Sequence, residues 1–222
     1  MRSHQFSTRA SVFVTLSLSW LLMGTKGCVP EQEPNNTASA ALTAANVIEY
    51  EGEAFGGYGG LEYIDPNVSS LSNDYWIVTT AIPNIYLAYN VLVPEGEGLW
   101  LDEFEMIGST PVTRHSSNVS CPNETSCNSY LNCTWIPGQS GAPGSCLFGP
   151  EGTLVAYSPF ILGNLRSLSP APSTWDPLDV AETYGLRFRA SNYGSTPVEF
   201  YAFQFSAITC SPPPAPQYCT SP

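Results

Sequence analysis

The sequence predicts an all-β fold, an antiparallel, jelly-roll-like β-sandwich that carries a disulfide-stapled loop insertion. Only 12% of the 222 residues are charged, while proline (20) and glycine (18) are abundant. A helical bundle needs a charged surface and tolerates little proline, so this composition argues against one. Several segments alternate β-branched and aromatic residues with period two between turn residues, which is typical of sandwich strands.

The first residues predict export. Arg2 and Arg9 accompany a mostly apolar segment, residues 11–24, which is too short for a bilayer span of about 20 residues. It fits the apolar core of a signal peptide, so we assign residues 1–27 to one. Residues 1–28 resemble a bacterial lipoprotein signal that ends at Cys28, although Thr25 and Lys26 depart from that pattern. The resemblance implies a lipid anchor at Cys28 and a place in the cell envelope, at the outer membrane or the surface. The alternative is a secreted chain with Cys28 unmodified.

The charge of the exported chain excludes some partners. After residue 27 there are four arginines and no lysine against nineteen acidic residues, a side-chain charge of −15. Such a surface repels phosphate backbones and anionic lipids, so we expect no nucleic acid partner. An extracellular polymer or protein partner is compatible with this charge, and the sequence leaves the oligomeric state open.

The segment after Cys28 resembles a known family. Residues 31–37 (EQEPNNT), 72–78 (SNDYWIV) and 184–190 (YGLRFRA) resemble blocks of bacterial pre-peptidase C-terminal domains, with Ser72 where the family commonly has Asp. These domains are small β-sandwiches appended to exported proteins. The resemblance implies a non-catalytic accessory module.

In some members of that family an acidic linker holds calcium. Carried over to this chain, the resemblance implies a Ca²⁺ site at Glu31, Glu33, Asn35, Asn36 and Asp74, all of which have oxygen donors. We assign residues 28–36 to an acidic tether and residues 37–209 to the sandwich domain. The alternative to a calcium site is that this tether is only solvated.

The strand predictions stand without the family. Period-two alternation predicts strands over residues 75–80, 85–93, 99–107, 184–190 and 200–208, the last apolar on both faces and therefore central. Residues 37–46 predict a helix of one or two turns. Trp76 is expected in the core.

Residues 109–150 predict a cysteine-rich loop insertion, and residues 210–222 a proline-rich tail clamped by cysteines. Six cysteines pair without remainder, so we expect three disulfides among Cys121, Cys127, Cys133, Cys146, Cys210 and Cys219. The pairing of the first four is left open. A zinc site is the alternative, but the spacing lacks a close cysteine pair.

No pattern indicates catalysis, and we expect no enzyme. Asp102, Glu103 and Glu105 could supply the two carboxylates that glycoside hydrolysis needs. However, Glu103 and Glu105 project from one face of a strand, and we interpret that face as solvated. His115 reads as an exposed loop residue. Two other functions remain open. One is a carbohydrate-binding module that stacks sugars on Trp100, Trp135 or Trp175, and the other is a structural envelope scaffold.

Overall fold

The computed structural model describes residues 28–43, 46–61, 63–65, 70–71, 73–129, 133–138, 142–149, 153–155, 161–162, 164–167, 173–178, 180–190, 200–210 and 218–220. The predicted signal peptide, residues 1–27, lies outside them. Two large β-sheets pack face to face around one main core, which confirms the all-β sandwich.

The strands follow one another along the chain with two short helices between them. In chain order the strands are β1 Cys28–Pro30, β2 Val47–Tyr50, β3 Phe55–Gly59, β4 Tyr63–Asp65, β5 Ser70–Leu71, β6 Asn73–Thr80, β7 Tyr86–Pro94, β8 Glu97–Ile107, β9 Thr110–Cys121, β10 Cys133–Ile136, β11 Ser145–Phe148, β12 Thr153–Val155, β13 Ile161–Leu162, β14 Asn164–Ser167, β15 Ser173–Asp176, β16 Tyr184–Ala190, β17 Tyr201–Cys210 and β18 Tyr218–Thr220. The helices are α1 Ala38–Thr43 and α2 Glu124–Ser129.

One sheet has five strands in the order β2, β6, β16, β8, β9. The larger sheet follows β1, β3, β17, β7, β11, β10, and β13, β18 and β12 extend it. Two separate hairpins pair β4 with β5 and β14 with β15. Pairing is antiparallel except for β1 on β3 and β2 on β6, so the first strand added to each sheet is parallel.

Aromatic side chains fill the space between the sheets. Trp76 is fully buried, as expected, and its ring meets Phe203 edge-on at 5.0 Å between centroids. Phe188 stacks on Tyr201 at 4.1 Å. Strand β17 lies between β3 and β7, and Ala202, Phe203 and Phe205 are all fully buried, so its predicted central position is confirmed.

The expected helix is a single short element on the outer face of the five-stranded sheet. Thr37 caps α1, because its Oγ1 accepts a hydrogen bond from the amide of Ala40 at 3.1 Å. Ala38 and Ala41 are buried in a cluster with Tyr75, Ile77 and Phe104. Helix α1 therefore covers one part of that outer face.

Two segment boundaries differ from the sequence expectation. Residues 110–121 are not an irregular insertion but an edge strand, β9, paired along the length of β8, and residues 145–148 join the larger sheet. Strand β9 was missed because an edge strand with mostly polar residues lacks apolar alternation. Residues 28–36 are not a free tether either, since β1 pairs with β3 and the amide of Glu31 donates to the carbonyl of Tyr58 at 2.9 Å.

The expected disulfides are present only in part. Cys127 of α2 is bonded to Cys146 of β11. Cys210 is disulfide-bonded, and in the register of β17 and β18 it lies opposite Cys219, which agrees with the predicted clamp. Cys121 is a free, fully buried thiol, so the expectation that all six cysteines pair is not met at that residue. Cys121 lies on the core side of β9, and Cys146 is bonded to Cys127 rather than to Cys121.

Candidate cation site at the N-terminal edge

Three carboxylates converge where the N-terminal segment crosses the start of β6. Glu31 and Glu33 follow β1, and Asp74 is the second residue of β6. One oxygen from each lies within 4.8 Å of the others. The pairing of β1 with β3 brings the N-terminal segment there, because it continues past Pro30 along the edge of the larger sheet.

Glu31 contacts Gly59, the last residue of β3, and Gly60, the residue that follows it. A Cβ atom at Gly59 would be 2.0 Å from Oε2 of Glu31, so only glycine leaves room for this carboxylate. The amide of Gly60 donates to Oε1 at 2.9 Å. The glycine pair therefore sets both the position and the orientation of Glu31.

Asp74 is fully buried. Its Oδ2 is 3.0 Å from the Tyr201 hydroxyl, and its Oδ1 has no hydrogen-bond partner among the described residues. Tyr201 also lies 3.1 Å from Oε2 of Glu31 and accepts a hydrogen bond from Nε1 of Trp76 at 2.9 Å. A phenol has one proton, so Tyr201 can donate to only one of the two carboxylates at a time.

The site is therefore short of positive charge. Burial and then the charge of Glu31 raise the pKa of Asp74 to about 9. Burial also raises the pKa of Glu31, and it raises that of Tyr201 well above its ordinary value. A pKa of about 9 keeps Asp74 protonated at neutral pH, and a bound cation would displace that proton.

The two predicted asparagines both donate hydrogen bonds to Glu33. The Asn35 amide satisfies both its ends when its nitrogen donates to the two Glu33 oxygens (3.1 and 3.2 Å) and its oxygen accepts from Asn46 Nδ2 (3.1 Å). Asn36 donates to Oε2 of Glu33 at 3.4 Å, and its own oxygen accepts from the amide of Asn73 at 3.3 Å. Each of these amide oxygens accepts one hydrogen bond and has a second lone pair, so the expected role of the two asparagines as ligands stays a prediction.

Sequence reasoning missed Tyr201 and the glycine pair. Tyr201 was assigned only to a buried strand, because no local pattern connects it with Asp74, 127 residues away. The Gly59–Gly60 pair beside an aromatic residue could have indicated a close approach of another group. Ser72, where the resembled family has Asp, lies outside the described residues.

The three tryptophans considered for sugar binding lie on separate strands. Trp100 is on the outer face of β8, half-buried, with the Arg189 guanidinium carbon 5.1 Å from its ring centroid. Trp135 is on β10 at the far edge of the larger sheet, against Gly144 and the core. Trp175 belongs to the β14–β15 hairpin, and its side chain is outside the described part. Among the described side chains, Trp100 and Trp135 thus lie in different sheets.

Three acidic residues of β8 each have different partners. Asp102 pairs with Arg187 and Arg189, and Glu105 pairs with Arg114. Glu103 is buried between the sheets and accepts a hydrogen bond from the Tyr89 hydroxyl, which corrects the expected solvated face. The period-two pattern predicts which residues share a face, but not that Tyr89 of the opposite sheet meets Glu103.

His115 is half-buried in β9 rather than exposed in a loop. Burial lowers its pKa, and its Nδ1 is 3.2 Å from Oγ of Ser117.

Comparison with family models, with curated proteins and with solved structures gave no match for this chain. Within the described residues, no helix has the length and apolar character needed to cross a membrane.

Proposed function

We propose that this protein is an exported, non-catalytic β-sandwich module whose N-terminal segment is fastened by a divalent cation, with calcium as the preferred ion. The observation that carries the proposal is Asp74, which is fully buried and has an oxygen without a partner among the described residues, beside two further carboxylates. The pre-peptidase C-terminal resemblance supports the same assignment.

The donor set suits a hard cation. Three carboxylates supply up to six oxygens, and Ca²⁺ takes about six to eight at flexible geometry, with carbonyls or water for the remainder. Mg²⁺ demands a tighter octahedron and gives up its water reluctantly, so two glutamates beside a buried aspartate favour calcium. The bound ion would displace the proton that burial keeps on Asp74 and would compensate the charge of the resulting carboxylate.

The anchor at Cys28 belongs to the same proposal. Strand β1 begins at Cys28, and the acidic cluster follows directly after this strand. A lipid on Cys28 would therefore join the membrane to the fold without a spacer. The cation would fix the segment that connects the lipid-bearing Cys28 to the rest of the sandwich.

Thermal unfolding with Ca²⁺ or Mg²⁺ tests the cation site. We expect Ca²⁺ to raise the melting temperature more than Mg²⁺ does, and the double variant Glu31→Ala with Glu33→Ala to abolish the difference. The matched control removes two exposed acids elsewhere, Glu49→Ala with Glu53→Ala, and should keep it. Equal shifts with both ions, or a calcium shift that survives in the Glu31 and Glu33 variant, would refute the site.

A carbohydrate-binding module is the second candidate, and Trp100 favours it. Its ring is part-exposed on the outer face of the five-stranded sheet and is flanked by Asn118 of β9 and Arg189 of β16 in the strand register. The edge of an aromatic ring with neighbouring amide and guanidinium groups offers both apolar contact and hydrogen bonds to a sugar. Glycan binding that depends on Trp100 would support this candidate, and a Trp100→Ala variant with unchanged glycan binding would exclude this face.

A further inference from the structure

Basic residues are scarce in this chain and are concentrated on one sheet. Four arginines and no lysine follow residue 28, against nineteen acidic residues. Three of these arginines, Arg114, Arg187 and Arg189, lie in β9 and β16 of the five-stranded sheet. Arg187 and Arg189 are two residues apart on its middle strand and so project from the same face.

One buried carboxylate holds both of these guanidinium groups. Asp102 has a side chain that is only 1% exposed. It accepts hydrogen bonds from Nε and Nη2 of Arg187, and from Nε and Nη2 of Arg189 at 2.8 and 3.2 Å. Ser116 donates to the same carboxylate. Two positive charges are thus fixed by one negative charge, which leaves a surplus of one.

The guanidinium groups remain partly open to solvent. The side chains of Arg187 and Arg189 are 29% and 35% exposed. Nη1 of Arg189 has no hydrogen-bond partner among the described residues, whereas Nη1 of Arg187 donates to the Tyr75 hydroxyl at 3.1 Å. Fixed guanidinium donors of this kind match the geometry of a carboxylate.

The two arginines lie in two cross-strand rows of polar and aromatic side chains. One row contains Asn73, Arg189, Trp100 and Asn118, and the other contains Tyr75, Arg187, Asp102 and Ser116. The guanidinium carbon of Arg189 lies 5.1 Å from the ring centroid of Trp100, and that of Arg187 lies 5.7 Å from the ring centroid of Tyr75. Helix α1 covers the neighbouring part of the same face, so the rows border a covered region.

We propose that this surface, the Arg–Trp face formed by these two rows, binds an acidic saccharide, a chain of sugars that bear carboxylates. The guanidinium pair would bind a uronate carboxylate, the asparagine and serine side chains would bind hydroxyls, and the edge of Trp100 would contact a sugar ring. The inference rests on the carbohydrate-binding candidate and adds the charge of the ligand. The surrounding negative charge repels acids in general, so an acid that binds here must do so through local contacts.

The binding test uses matched glycans and matched arginine variants. The probes are oligomers of galacturonate, alginate and hyaluronan, each compared with its carboxyl methyl ester, together with poly-glutamate, all by calorimetry at physiological salt. We expect at least one uronate oligomer to bind about tenfold or more tightly than its ester, since charge-assisted bonds are about twice as strong as neutral ones. Arg189→Gln should remove most of this preference and leave Asp102 paired with Arg187. Arg114→Gln is the control, because Arg114 is 34% exposed in a separate pair with Glu105 on the same sheet.

Each remaining outcome overturns the inference in a distinguishable way. Equal binding of the ester and the acid would keep a glycan module but exclude carboxylate recognition. Absence of binding to every oligomer and ester would exclude the glycan function of this face as well. Tighter binding of poly-glutamate than of any uronate would assign the face to an acidic peptide. If Arg114→Gln lowers the preference for the uronate over its ester as much as Arg189→Gln does, net charge alone explains that preference.

Discussion

Replacing Gly59 by alanine tests whether the N-terminal carboxylates form a cation site. The new Cβ would be 2.0 Å from Oε2 and 2.3 Å from Cδ of Glu31, where real contacts are almost never below 3.0 Å. The Glu31 carboxylate must therefore move by about 1 Å or more. That shift breaks its hydrogen bond from Gly60 (2.9 Å) and its contact with Tyr201 (3.1 Å), and it opens the cluster.

The expected magnitude follows from binding linkage. At free Ca²⁺ about 100-fold above Kd, the ion stabilises the native protein by about 2.7 kcal/mol. For a chain of this size 1 kcal/mol corresponds to roughly 2–4 °C, so calcium should raise Tm by roughly 5–10 °C. If Gly59→Ala weakens binding about 100-fold, the same concentration yields only about 0.4 kcal/mol, a shift of about 1–2 °C.

Calorimetric or fluorescence melting with and without Ca²⁺ measures this effect. Gly108→Ala is the control, since Gly108 lies in the β8–β9 turn at φ 64° with open space around it. It should lower Tm by backbone strain yet keep the calcium shift. In a Glu31→Ala background, Gly59→Ala should change the calcium shift no further. A full calcium shift in Gly59→Ala itself would refute the assignment of Glu31 as a ligand.

Four further predictions concern the lipid anchor, two cysteines of the fold and the carboxylate that binds the arginine pair. Cys28→Ser should release the protein from the membrane fraction, and unchanged fractionation would contradict a lipid anchor. Cys127→Ser opens a bridge between residues 19 apart and should cost about 3 kcal/mol by denaturant unfolding, whereas a change within error would contradict a stabilising staple. Cys121 is buried, and burial raises the pKa of its thiol to about 11, so iodoacetamide at about pH 8 should label it only after unfolding. Burial acts to raise the pKa of Asp102, but hydrogen bonds from Arg189, Ser116 and Arg187 outweigh it and lower that pKa. The stability that Asp102 contributes is therefore complete above 3.8, the pKa of an ordinary aspartate, and is lost as the pH falls further. The difference in unfolding free energy between wild type and Asp102→Asn should therefore become smaller below about pH 4. A difference that does not change with pH would contradict the ion pairs.

Most of the strand pattern could be predicted because it is a local property. Residues 184–190 were predicted as a strand and form β16 with the same bounds, and the central place of β17 followed from apolar residues on both faces. Strand β9 could not be predicted in the same way, because an edge strand needs no apolar face. Its residues pair with β8 through the backbone, which every sequence offers.

The candidate site was predicted only in part. The family resemblance named Glu31, Glu33 and Asp74, and the structure brings these three together. It also named Asn35 and Asn36, whose amides donate hydrogen bonds to Glu33. Tyr201 could not be found, because it joins the cluster through sheet order rather than through any nearby motif.

The sequence by itself determined the local and additive properties of this protein: its strands, its shortage of helix, its negative charge and its abundance of cysteine. Each depends on neighbouring residues or on a sum over the chain. The tertiary structure alone decided which distant groups meet, such as Asp74 with Tyr201, or Asp102 with Arg187 and Arg189. The physical reason is that these contacts depend on strand order and register. A shift of one residue in register would turn Asp74 and Asp102 to the opposite faces of their sheet and abolish both sites.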